Sequence, residues 1–182
     1  MSKFLPHNYS YANNPIGELI HVTTAQRNED YFCPICGDLM IPHKGKVRRW
    51  HFVHKKAKNC SYESYLHQLA KYKIKQAFLY SEHFLLSYNA KAICSCDCPF
   101  IGYPKCDGEK PVEFDLRKFY DSCEIEATYN RFKADLLLSS STNPKLPPVL
   151  IEIMVTHKCT EDKTNNGVRI IEIPIQSEEQ IH

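Results

Sequence analysis

The 182 residues are 43% hydrophobic and 24% charged with a net charge of +2, a composition that excludes a disordered tail and suffices for one buried core with small additions. No run approaches the roughly 18 apolar residues of a membrane span, and the opening MSKFLPHNYS has no apolar signal-peptide core, so a cytoplasmic protein with no membrane partner is expected. Nine cysteines, odd in number and grouped in tight pairs, point to metal ligation rather than disulfides.

The first twenty residues carry little pattern beyond a strand within Ile16–Thr23, after the Asn13-Asn14-Pro15 turn. Cys33-Pro-Ile-Cys36-Gly37 then reads as a knuckle: two thiolates three residues apart chelate one ion, while the glycine lets backbone amides turn towards sulfur. Two further ligands drawn from His51, His54 and Cys60 complete a tetrahedron, and zinc is the metal this donor set favours. The charge is local here, with seven Lys or Arg and no acid between Leu39 and Tyr62.

From Ser61, a plausible N-cap, to about Tyr80 the pattern is helical, with Leu66, Leu69, Ala70, Ile74, Ala77 and Phe78 on one face. Glu63, His67 and Lys71 follow at i, i+4 and i+8, a single stripe beside that face; taken alone, the stripe reads as a solvated ladder of side chains. A strand near Phe84–Ala92 leads to Cys94, Cys96, Cys98 and Cys106, four thiols in a Pro- and Gly-containing loop that read as a second, structural zinc site. Cys123 and Cys159 stand alone and read as small buried side chains.

Beyond Pro111 the period changes to two. Val112, Phe114 and Leu116 alternate with acids and Arg117, and Ile125, Ala127 and Tyr129 with Glu124, Glu126 and Thr128. Phe132–Leu138 and Val149–Val155 form another pair of strands, and a crossover over 156–166 leads to VRIIEIPI, which can pair in parallel with an earlier strand. Asp135 and Glu152 interrupt these apolar runs. One register sets them side by side, where their like charges call for a divalent cation such as Mg²⁺ or Mn²⁺; the bland alternative is two acids at strand ends reaching water or a neighbouring Arg131 or Lys133.

The order CPIC, HFVH, the Glu63/His67/Lys71 helix, RFKADLLL and VLIEIMVTHKCTEDK resembles the competence protein CoiA-like family, with a PD-(D/E)xK nuclease-like core. The resemblance implies an α+β or α/β fold with a mixed β-sheet flanked by helices; the chain then divides into an N-terminal knuckle segment over 1–60 and a nuclease-like core over 61–182, with a Cys-rich zinc insertion at 94–110 that the resemblance does not explain. It implies phosphodiester hydrolysis in nucleic acid, DNA first, with Asp135 and Glu152 holding the catalytic metal and Glu63 adding a carboxylate. Such sites carry a lysine two residues after the second acid, where this chain has Met154. His157 is the preferred substitute, with Lys133, Lys71, Lys158 and Lys163 also within reach of the site. The resemblance also turns the basic stretch, with Trp50 and Phe52 between its cations, into an expected phosphate and base contact. Two other classes stay open: a non-catalytic zinc-held nucleic-acid binder, which Met154 favours, and an adaptor whose knuckles bind protein.

Overall fold

The computed structural model describes residues 9–56, 60–91, 109–156, 163 and 167–181. The N-terminal part is a five-stranded antiparallel sheet of β1 (Tyr11–Asn13), β2 (Leu19–His21), β3 (Tyr31–Phe32), β4 (Leu39–His43) and β5 (His51–His54), in the order β2-β1-β3-β4-β5. β4 and β5 form a hairpin whose tip carries Lys44, Lys46, Arg48 and Arg49. Tyr31, Met40 and Phe52 fill a small core with Ala12, Val22 and the Cys33 side chain. Phe52 is fully buried there, which removes it from the expected stacking surface; Trp50 remains partly exposed at the tip.

Helix α1 (Tyr62–Tyr80) begins where the sequence places its cap: the Ser61 hydroxyl accepts from the Ser64 amide at 3.0 Å. It buries Tyr65, Leu66, Leu69, Ala70 and Phe78, each large apolar side chain contributing about 1.5–3 kcal/mol of burial. Beyond it, β6 (Leu85–Lys91) pairs with β7 (Glu109–Asp115) as a separate antiparallel ribbon. The expected ligands Cys94, Cys96, Cys98 and Cys106 lie outside the described residues.

The second core sheet has the order β13-β12-β11-β8, from β8 (Ser122–Ile125), β11 (Leu136–Ser139), β12 (Val149–Met154) and β13 (Arg169–Pro174). α1 lies across β8 and β12, burying Leu136, Leu138, Ile151 and Ile153 beneath it. β12 and β13 run parallel, as the crossover requires. The fold is thus mixed: α1 packs on the sheet, and Lys163 is itself helical in the connection between β12 and β13.

The runs over 124–129 and 132–138 are not unbroken strands. The first stops at Ile125 because Glu126 has φ +54°, and the second splits into β10 (Phe132–Lys133) and β11, with Asp135 at the break. Residues 128–129 form β9, which pairs with β10 as a small ribbon. The Glu126 amide donates to the Asp135 carbonyl and the Ala134 amide to the Ala127 carbonyl, both at 2.9 Å, so the kink keeps its backbone bonds while re-aiming its side chains.

Candidate metal centre and carboxylate groove

Cys33, Cys36, His54 and Cys60 present ligand atoms that all lie within 4.8 Å of one another, among the described residues the one such group of three or more. The CPIC turn is closed by the Gly37 amide donating to the Cys33 carbonyl at 2.9 Å, with Gly37 at φ +73°, and the Ile35 amide faces the Cys33 sulfur at 3.4 Å. Burial and the neighbouring thiols push Cys60 up to about 12, and burial also raises Cys33. Three thiols crowded with one imidazole are a donor set that a zinc ion fits, because the cation offsets the charge that burial opposes.

His51 is not part of this group. Residues three apart on a strand face opposite sides, and His51 Nδ1 lies 2.8 Å from the Arg49 carbonyl, its ring against His43. Part of the expected phosphate surface is likewise occupied: Lys44 donates to the carbonyls of Thr23 and Ala25, and Arg49 pairs with Glu179 at 2.9 Å. Lys46 and Arg48 stay exposed at the hairpin tip.

The stripe on α1 turns towards the sheet. The Thr156 hydroxyl donates to Glu63, His67 Nε2 lies 3.1 Å from Asp135 Oδ2, and Lys71 Nζ lies 2.8 Å from Glu126 Oε1. Leu136 pairs with Ile151, and one step further along this register Asp135 stands opposite Glu152. Asp135 Oδ2 also accepts from the Ile153 amide at 2.9 Å. Glu152 Oε1 lies 2.7 Å from the ammonium of Lys163, which reaches back from the crossover and also donates to the Lys133 carbonyl at 2.8 Å. The side chains of Asp135, Glu152 and Lys163 are 17%, 14% and 12% exposed, so this cluster is shielded from water.

The two acids are pushed apart electrostatically. Burial raises Asp135, but His67, the Ile153 amide and the Lys71 charge outweigh it and hold the carboxyl below its ordinary value. Burial raises Glu152 more than Lys163 lowers it, and the charge of Asp135 adds to the rise. Glu63, Asp135 and Glu152 do not form a ready three-ligand group. Lys133 is turned to Glu126 at 2.6 Å rather than to either acid, Met154 shares the Glu152 face of β12, and His157 and Lys158 lie outside the described residues.

Glu126 was not legible as a site residue, since nothing in its alternating run marks a left-handed break. Lys133 and Lys71 hold its carboxyl down to about 2, and Lys71 is only 6% exposed where Glu126 is 46% exposed. Removing one partner of a fully buried pair costs about 3–5 kcal/mol. With the carboxylate half in water, Glu126→Gln is expected to cost about 1–2 kcal/mol by urea unfolding. Adding Lys71→Met should recover part of the loss, because no unpaired ammonium is then left buried. A carboxyl with a depressed folded pKa stabilises fully above the ordinary 4.5; the contribution should fade as pH falls towards about 2, and vanish in the variant.

Between α1 and the CPIC turn runs a groove of about 560 Å³ lined by Pro34, Ile35, Glu63, His67, Lys71 and Glu126. A second cavity, of about 510 Å³, is lined by Ile74, Phe84, Ile173, Ile175 and Ile181 and has no carboxylate in its wall.

Fold and site together define a mixed α/β protein with a Cys3His cluster that can bind zinc beside a shielded carboxylate cluster. Residues 18–63 match the family model described as competence protein CoiA, N-terminal domain, so this segment is similar to that domain. The match covers the knuckle and ends at the first turn of α1. No curated protein matches the chain, and no solved structure does.

Proposed function

We propose that this chain is a zinc-stabilised nuclease that hydrolyses phosphodiester bonds in DNA at Asp135 and Glu152. The observation that carries the reading is the side-by-side placement of these two shielded carboxylates with the Lys163 ammonium 2.7 Å from Glu152. Lysine is absent two residues after Glu152 in sequence, yet a lysine from the crossover stands against that same carboxylate. The oxygen donors of Asp135 and Glu152, with Glu63 on α1 nearby, suit a hard divalent cation such as Mg²⁺ or Mn²⁺, since their like charges repel without one. Bound there, such a cation supplies positive charge to the scissile phosphate and acidifies water for attack on it.

The protein's own groups have separable parts. His67 and the Ile153 amide orient Asp135, and its depressed pKa keeps it ionised at neutral pH. Lys163 offsets the charge of Glu152 and can orient a water beside it. Lys71 and Lys133 neutralise Glu126 at the rim, which lowers the barrier to an approaching phosphate. Lys46 and Arg48 on the hairpin tip offer sequence-independent phosphate contacts.

The zinc-loaded full chain should cut labelled DNA with Mg²⁺ or Mn²⁺, and Asp135→Ala or Glu152→Ala should abolish cutting while zinc content and fold persist. One observation favours a second reading: each acid already has a partner, and Met154 replaces the expected lysine. A non-catalytic binder of this kind would show salt-sensitive DNA binding that neither substitution changes, with no cleavage by wild type.

A further inference from the structure

Resting on the nuclease reading, we infer that the zinc-held CPIC turn is part of the substrate site: Pro34 and Ile35 pack against the base of an unpaired nucleotide, making the enzyme selective for single-stranded DNA. The turn forms one wall of the 560 Å³ groove and the α1 stripe forms the other. Ile35 leaves 36% of its surface exposed between Cys33 and Cys36, so an apolar side chain is presented to the groove by the turn that carries two of the four candidate ligands. Opposite it, Ser64 and Gln68 offer polar groups to a base edge, while His67 and Lys71 beside them are held by Asp135 and Glu126.

The direction of entry follows from burial. The carboxylates of Asp135 and Glu152 are shielded, and His67, which touches Asp135, also lines the groove. A scissile phosphate therefore has to descend between the two walls rather than rest on top of them. A duplex keeps its bases stacked inside and paired to the partner strand, so it presents no free base to the apolar wall. A single nucleotide can turn its base onto the apolar wall while its phosphate continues inwards, and a groove of this volume is in the range that holds one small ligand. Stacking against a side chain tolerates any base, so selectivity for strand state without selectivity for sequence follows.

The test is binding of a fluorescein-labelled single-stranded oligodeoxynucleotide and of the corresponding blunt duplex to the zinc-loaded full chain. Ca²⁺ is present so that binding is read without turnover, and zinc content is measured on every sample. Expected are tighter binding of the single strand, a gain of about threefold or more in Ile35→Trp, and a loss of about tenfold in Ile35→Asp, with zinc content unchanged. Equal or tighter binding of the duplex overturns the inference, as does single-strand affinity that neither Ile35 variant shifts, or no binding to either DNA. If the pattern appears but the wild type does not cleave in Mg²⁺ or Mn²⁺, the inference holds as a binding statement and the catalytic reading falls.

Discussion

Cys36→Ser is expected to release zinc and melt the N-terminal sheet. Cys36 is the exposed member of the Cys3His group, so its replacement removes a ligand without opening a cavity, and the loss reports the metal alone. The sheet it anchors has a core of few large side chains, Tyr31, Met40 and Phe52, too small to hold without help. Structural zinc sites supply about 10–16 kcal/mol of apparent binding free energy at neutral pH, which in such small units is folding free energy. Hydrogen exchange over β3, β4 and β5 should rise towards that of the unfolded chain in Cys36→Ser and in wild type stripped by a chelator. His51→Ala should keep both zinc and protection. Full zinc content in Cys36→Ser, or zinc loss in His51→Ala, would contradict the assignment of ligands.

The second large effect belongs to Lys163. Its ammonium is the cation against Glu152, and removing one preorganised charge-stabilising group from a shielded site typically costs about 10²–10³ in rate. Lys163→Met should therefore lower the single-turnover cleavage rate by about that factor while single-strand binding stays within a few-fold. Because Met154 projects on the same β12 face as Glu152, Met154→Lys added to Lys163→Met is expected to restore part of the rate. Restoration would separate a positional requirement for positive charge from damage to the fold. Unchanged cleavage in Lys163→Met would remove the residue from the mechanism.

The residues that could be read from the sequence are those whose chemistry is local. The CxxC pair, the Ser61 cap, the buried face of α1 and the period-two runs depend on neighbours within a few positions, and each has a counterpart in the fold. Even the register that pairs Asp135 with Glu152 could be drawn, because only one pairing places both acids at the same level of adjacent strands. What was hidden depended on distant parts of the chain. Spacing alone leaves His51 and His54 equivalent as ligands, whereas as β5 its alternation sends them to opposite faces. The α1 stripe resembles a solvated ladder until the kinked strands bring Asp135 and Glu126 to it. Phe52 among cations looks like a stacking group, yet β5 turns it into the core. Lys163, eleven residues beyond Glu152, is one of several lysines until its ammonium is found against that carboxylate.

The central claim is that Asp135 and Glu152 hydrolyse a phosphodiester bond. The most direct measurement incubates the zinc-loaded full chain with Mg²⁺ or Mn²⁺ and labelled single-stranded DNA in ¹⁸O-enriched water, alongside Asp135→Ala. The account predicts cleaved product whose new terminal phosphate carries ¹⁸O, and no product from the variant. Folded, zinc-loaded wild type that yields no product with either cation, or product that persists in Asp135→Ala, would contradict it.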